Sequence, residues 1–192
     1  MANRAIIAPR IETERLILRE FRFEDFEAFA EMLANPDVGH FIGGVMTDRT
    51  AAWEKFCRAP GFWALLGYGM WIVEEKTSGR IAGNLGFGNF QRPIDPPLPD
   101  VPEGAWVFDQ WAHGKGYASE ALTAALAWAD ANLPHRGYCC IISPDNAPSL
   151  ALAKKFGFAE TRREEFKGEE TVILERVLSS APAKAEAQSS RR

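Results

Sequence analysis

The run Glu103-Gly104-Ala105-Trp106-Val107-Phe108-Asp109-Gln110-Trp111-Ala112-His113-Gly114-Lys115-Gly116-Tyr117-Ala118-Ser119-Glu120 decides how this chain folds. Ala105 to Phe108 predicts a strand, and the turn after it passes straight into a helix over Gly116 to Leu133. That helix carries a stripe of small residues at Ala118, Ala121, Ala125 and Ala129, with Leu122 beside it. Glycines at 114 and 116 permit positive φ and close backbone approach. A turn of this kind aims successive N–H groups at one anion, and the helix N-terminus adds its partial positive charge. Lys115 supplies a cation outside the turn, so a phosphate or pyrophosphate is the natural guest. The same pattern also serves as a tight connection without a ligand. It is neither a GxxxxGK[ST] phosphate loop nor a dinucleotide fingerprint, because Ser119 stands where the third glycine would fall.

Outward from this run the periodicity changes several times. Arg15 to Arg19 reads as a short strand. Asp25 opens an amphipathic helix with Phe26, Phe29, Met32 and Leu33 on one face, ended by Asn35-Pro36. A second helix follows Thr47-Asp48 and runs through Trp53 and Phe56 to Pro60. Met70–Glu75 and Arg80–Phe87 form two strands about the turn 76–79. Residues 91–102 hold five of the twelve prolines and form an extended loop. Tyr138–Ile142 is a buried strand, Ser149–Phe156 a helix closed by Gly157, and Phe158–Phe166 with Glu170–Val177 a hairpin about Lys167-Gly168. The order predicts an α+β fold with a mixed, mostly antiparallel central sheet flanked by helices on both faces. Residues 1–178 read as a single domain. Residues 179–192 have no aromatic residue and no Leu, Ile or Val, and are expected to form a flexible tail.

A second segment, Ser143-Pro144-Asp145-Asn146-Ala147-Pro148-Ser149, also starts a helix just after a strand. Asn146 and Ser149 suit a helix cap, with Pro148 in the first turn. They equally suit an amide and a hydroxyl facing a ligand between the two helices. Together the two segments resemble the acetyl-CoA-binding core of the GNAT superfamily of N-acetyltransferases. Trp111-Ala-His-Gly114-Lys-Gly116-Tyr-Ala118 is similar to that family's pyrophosphate loop. Asn146-x-x-Ser149, followed by Lys155-Phe-Gly157-Phe158, is similar to its second signature. Thr13-Glu-Arg15-Leu16-Ile-Leu18-Arg19 with Asp25 resembles the opening of the RimJ/RimL-type subgroup, and Ile81-Ala-Gly83-Asn-Leu-Gly86-Phe resembles a family strand. The resemblance spans residues 12 to 178. Departures are Trp111 at a Gln/Arg position, His113 where the subgroup commonly has Trp, and Ala153 where many relatives carry a tyrosine general acid.

The resemblance implies a GNAT domain that transfers acetyl from acetyl-CoA directly to a primary amine in a ternary complex, without a metal. The acceptor is a protein N-terminal α-amine or a small-molecule amine. Loop amides at His113, Gly114, Lys115, Gly116, Tyr117 and Ala118 hold the phosphates, with Asn146 and Ser149 beside them. Lys115, Lys154 or Lys155 reaches the 3′-phosphate, and the N–H groups of Val107 or Phe108 face the acyl oxygen. Glu103 matches the acidic residue of the family's strand and is the candidate base, against a solvated strand-end carboxylate. Glu164 is a second candidate base, against a solvated hairpin face. Ser149 is the candidate proton donor to the departing thiolate. Phe41, Trp53, Phe56, Phe62, Trp63 and Tyr68 crowd the acceptor side, either as core or as an apolar pocket. The alternatives in other classes are a catalytically weak acyl-CoA-binding regulatory module and a binding protein whose glycine loop holds no cofactor.

Composition sets the bounds. Of 192 residues, 46% are hydrophobic and 25% charged, ample for one core without disulfide or metal staples. The net charge of −4 argues against nucleic acid or an anionic membrane as the main partner. Residues 179–192 carry +2, which leaves −6 on the remainder and favours a cationic acceptor. No apolar run reaches the ~18 residues of a membrane span, and residues 1–12 show no secretory h-region, so a cytoplasmic monomer or homodimer is expected. Cys57, Cys139 and Cys140 lack metal-site spacing, and the adjacent pair reads as buried strand.

Overall fold

The computed structural model describes residues 7–135 and 137–178. Its elements are β1 (Ile11–Glu12), β2 (Leu16–Arg19), α1 (Phe26–Ala34), α2 (Pro36–Gly39), α3 (Arg49–Leu66), β3 (Met70–Glu75), β4 (Ile81–Gly88), β5 (Glu103–Phe108), α4 (Tyr117–Asn132), β6 (Gly137–Ile142), α5 (Ala147–Lys155), β7 (Ala159–Phe166) and β8 (Glu169–Val177). The strands form one eight-stranded sheet in the order β1-β2-β3-β4-β5-β6-β8-β7. Every neighbouring pair is antiparallel except β5 and β6. Those two run parallel because the crossover through α4 carries the chain back to the end of the sheet at which β5 began. The mostly antiparallel α+β architecture expected from the sequence is the one observed.

Strand alternation divides the core between the two faces. On β3, Trp71 and Val73 pack with Ala121, Leu122 and Ala125 of α4, whereas Ile72 packs with Phe29 and Leu33 of α1 and Phe56 of α3. Ala121, Ala125 and Ala129 have no exposed surface, so the small-residue stripe lets α4 lie close on the sheet.

Three differences from expectation bear on the site and its surroundings. The second helix does not end at Pro60 but continues to Leu66, closed by Gly67 at φ 77°. Proline removes one helical hydrogen bond. Burial of Ala59, Phe62 and Trp63 around it offsets that loss, and Trp63 Nε1 donates to the Met70 carbonyl at 2.9 Å. The strand expected from Ala105 begins two residues earlier, at Glu103, which pairs with Gly88 on one side and Cys139 on the other. A two-residue strand, β1, adds an edge beside β2. The expected tail, 179–192, lies outside the described residues. Among the described residues no helix is long and apolar enough to cross a membrane.

A buried ion pair fixes β2 to the start of α1. Arg19 and Asp25 are 4% and 6% exposed, and their side chains meet in a fork, Nη1 to Oδ2 at 2.7 Å and Nη2 to Oδ1 at 2.8 Å. Arg19 Nε also donates to Glu74 on β3 at 2.6 Å, and the Arg22 N–H donates to Asp25 at 2.8 Å. These bonds, Asp25 foremost, hold the Arg19 pKa above its usual value. Removing one partner of such a pair strands a buried charge. Asp25→Ala should therefore cost about 3–5 kcal/mol in urea unfolding, and the double variant Arg19→Met/Asp25→Leu much less.

Candidate active site

The site grows from the parting of β5 and β6. They pair only at Glu103–Cys139, with the Cys139 N–H donating to the Pro102 carbonyl at 3.1 Å, and then diverge. On the other side β5 follows β4 without a register break. Asp109 N–H donates to Ala82 C=O at 2.9 Å, and antiparallel pairs alternate between bonded and non-bonded. Val107 therefore exchanges its backbone bonds with Asn84, Gly104 takes part in the bridge to Cys139, and Trp106 and Phe108 turn theirs toward the opening. A Cβ built on Gly83 would lie 2.2 Å from the Val107 carbonyl oxygen, which agrees with that direction. This divides the two expected oxyanion donors: the Val107 amide is spent on β4, and the Phe108 amide faces the wedge.

The glycine loop closes the wide end of the wedge. Gly114 and Gly116 have φ of 72° and 78°, and Gly116 caps α4. The first intrahelical bond is Glu120 N–H to Gly116 C=O at 3.0 Å. Among the described residues the N–H groups of 114 through 119 have no protein acceptor, which leaves a consecutive set of donors at a helix N-terminus. His113 does not belong to that set. Its N–H is used by Gln110 C=O at 3.1 Å, and its ring Nε2 lies 3.0 Å from the Phe108 carbonyl, so it buttresses the end of β5.

Cations surround the loop, Arg15 and Arg80 joining the lysines that the sequence offered. Arg15 Nη1 donates to the Lys115 carbonyl at 2.9 Å, and its Nε bonds Glu120 at 2.7 Å. Thr13 Oγ1 and the Arg15 N–H also donate to Glu120, at 2.6 and 2.8 Å. The Thr-Glu-Arg opening thus ties β2 to the first turn of α4. Trp111, at the Gln/Arg position, lies between Arg80 and Lys115, whose charges are 4.3 and 4.6 Å from its ring centroid. Lys155 Nζ donates to Ser119 Oγ at 2.6 Å, whereas Lys154 is exposed.

On the facing helix, Asn146 caps α5, its Oδ1 accepting the Ser149 N–H at 3.1 Å. The Ser149 hydroxyl accepts from Trp106 Nε1 at 3.2 Å across the wedge, which leaves its own proton free to be donated. Ala153 is fully buried in the core, so no side-chain acid stands there.

Glu103, at the narrow end, is 4% exposed rather than solvated. Arg92 Nε, from the proline-rich loop, donates to both its oxygens at 2.7 and 2.9 Å. Burial raises the Glu103 pKa, and Arg92 and Arg58 only partly oppose it, so its carboxyl lies above the usual value. Beside it is a cavity of about 230 Å³ walled by Phe90, Arg92, Pro99, Asp100 and Cys139. Glu164 lies on the β7 face that carries Arg162 and Phe166 and pairs with Arg162 at 3.4 Å. Arg162 in turn donates to the carbonyls of Pro96 and Pro97 in the same loop, at 2.6 and 2.9 Å.

Of the six aromatic residues expected near the acceptor, Phe56, Phe62, Trp63 and Tyr68 are buried and structural, and Trp53 is 37% exposed. Cys139 and Cys140 are buried strand residues; burial pushes the Cys139 thiol up to about 12. Among the described residues no group of His, Cys, Asp or Glu is arranged to hold a metal ion.

Comparison with known proteins agrees with this geometry. The acetyltransferase (GNAT) domain family matches residues 15–159. An uncharacterized N-acetyltransferase of Bacillus subtilis, YnaD, is 31% identical over 161 residues, 81% of this chain and 84% of its own. A solved GNAT-family acetyltransferase structure from Bordetella pertussis superposes with a TM-score of 0.80 at 28% identity, covering 88% of this chain and all of that one. A RimL ribosomal-protein α-N-acetyltransferase solved with coenzyme A shares the fold at a TM-score of 0.72 and 17% identity, covering 88% of this chain and 98% of that one. The chain belongs to the GNAT family of acetyltransferases and is an acyltransferase enzyme.

Proposed function

We propose that this GNAT enzyme is a RimJ/RimL-type N-acetyltransferase that uses acetyl-CoA as donor and a primary amine as acceptor, by direct transfer in a ternary complex. The observation that carries the reading is the conjunction, in one wedge, of three kinds of backbone and side-chain groups. The wide end has the consecutive N–H donors of 114–119, the middle has the free edge of β5, and the narrow end has a buried carboxylate. A pyrophosphate matches the first, the amide-bearing pantetheine arm the second and an amine the third. Acetyl-CoA, when bound, supplies the activated acyl group as a thioester. The RimJ/RimL assignment is supported by the use the structure makes of that opening motif, Arg19 pairing with Asp25 and Thr13 and Arg15 with Glu120. A single-domain enzyme working in the cytoplasm is consistent with these features.

In this mechanism the Phe108 N–H stabilises the negative charge that grows on the acyl oxygen. Glu103 takes the proton that the amine nitrogen must lose as its bond to carbon forms, directly or through one water. Two lone-pair positions remain on its carboxylate beyond those held by Arg92. As the carbon–sulfur bond breaks, Ser149 Oγ gives its proton to the sulfur, and Trp106 keeps the hydroxyl aimed. Lys115 and Lys155 stand at the loop for the phosphates, and Lys154 is placed on the exposed side of α5 for the 3′-phosphate. Glu164 is the reserve base, reached through the Arg162 side of the cavity.

Acetyl-CoA at saturation should raise the melting temperature of the full chain; no shift would remove the donor assignment. Gly114→Val forces a β-branched residue into positive φ and should weaken acetyl-CoA binding by about tenfold or more in calorimetry. Glu103→Gln should lower kcat by about 100-fold or more. It should also abolish the acid limb of the pH profile, which lies above the ordinary glutamate value because burial raises the folded pKa and the base form is lost as pH falls through it. Full activity of this variant at every pH would shift the role to Glu164. Ser149→Ala keeps the backbone cap to Asn146 and should leave stability within about 0.5 kcal/mol while slowing thiol release by about tenfold or more.

A further inference from the structure

The narrow end of the wedge gathers cations, in contrast to the cationic acceptor that the net charge favours. Arg58 from α3, Arg92 from the proline-rich loop and Lys167 from the β7–β8 turn are threaded through a row of aromatic rings. The Arg58 Cζ lies 5.5 Å from the Phe90 centroid, and the Arg92 Cζ lies 4.9 Å from Phe90 and 5.2 Å from Phe166. Lys167 Nζ lies 5.6 Å from Phe166. Lys55, one turn before Arg58 on α3, is half-buried and faces all three. Of these four, only Arg92 has a carboxylate partner among the described residues, Glu103. Asp100 lines the same cavity, and Arg162 and Glu164 beside it offset one another.

Four cations converging from three segments on two carboxylates repel one another. Burial first, and then the charges of Arg58, Arg92 and Lys167, push the Lys55 ammonium down to about 8. Arg58 and Lys167 reach solvent, yet the rings of Phe90 and Phe166 hold Arg58, Arg92 and Lys167 on one side of the carboxylate that the amine must reach. An anion bridging Arg58, Lys55 and Lys167 would relieve the repulsion and leave the Arg92–Glu103 pair intact. Guanidinium and ammonium groups arranged around a point suit a carboxylate.

We infer that this cluster receives a carboxylate of the acceptor, so that the substrate is an amine carrying an acidic group close to the reacting nitrogen rather than a polyamine or other polycation. The inference rests on the acetyltransferase reading above. The carboxylate is either the α-carboxylate of a free amino acid or the side chain of an acidic residue next to a peptide N-terminus.

The test measures thiol release by the full chain with acetyl-CoA. One arm compares the common L-amino acids with their α-carboxamides, and the other compares C-terminally amidated peptides carrying Asp or Asn at the second position. The expected result is a preference in kcat/KM for the acid over its matched amide of about tenfold or more in one arm, the value of a charge-assisted bond. The arm that responds identifies the source of the carboxylate. Arg58→Gln and, independently, Lys167→Asn should each reduce that preference several-fold; asparagine tolerates the positive φ of 58° at this turn. Amides or spermidine used as well as the acids, or a preference untouched by both variants, would overturn the inference. If no amine is acetylated, calorimetric binding of the same acids and amides to the CoA-saturated chain decides it, and equal affinities overturn it. Absence of any thermal shift with acetyl-CoA would instead overturn the donor reading.

Discussion

The site proposed for this chain depends on two parallel strands that meet once and then part. A sheet normally uses both edges of every interior strand, and leaving the groups of one edge buried and unpaired costs about 1–3 kcal/mol each. β5 avoids part of that cost in the middle of an eight-stranded sheet: β6 pairs with it only at Glu103–Cys139, and Ala105, Trp106 and Val107 beyond the bridge are half-buried rather than buried. The parting is maintained from outside the wedge. α4 lies close on the sheet through its alanine stripe, and the Arg15–Glu120 bond ties its first turn to β2. His113 holds the far end of β5 by its last carbonyl. The glycine loop, the Trp106–Ser149 contact and the buried carboxylate then fall on three sides of one opening.

Much of this was legible in the sequence. The strand–glycine–helix run and the Asn-Pro-Ser helix start are local patterns, and local patterns survive folding. The alanine stripe on α4 and the phenylalanine face of α1 read correctly because their periodicity reports burial. What the sequence concealed was non-local. The helix passes through Pro60 because Trp63 finds Met70, Trp71 and Trp128, none of which is visible at residue 60. Glu103 reads as a strand end after Pro102, and only pairing to two strands at once makes it buried. Val107 and Phe108 are equivalent as sequence, and the register of β4 makes one amide available and the other not. Arg92 sits in unremarkable surroundings in the chain, and the fold carries it to its carboxylate.

The charge of the chain is a further case of an average that conceals its parts. A net −4 says little about either end of the wedge, each of which gathers cations. The two ends achieve this differently. At the glycine loop, backbone dipoles do most of the work and Arg15, Arg80 and Lys115 surround them. At the other end the cations are side chains alone, spaced by Phe90 and Phe166.

That contrast bears on how such a protein changes over generations. The backbone donors of the proposed donor end come from one contiguous stretch, residues 108–119, in which the glycine turn and the strand register work together. The acceptor end is assembled from α3, the proline-rich loop and the β7–β8 turn, three stretches far apart in the chain, each able to drift alone. A lineage can therefore exchange one acceptor for another by single substitutions on loops while its donor chemistry passes down unaltered.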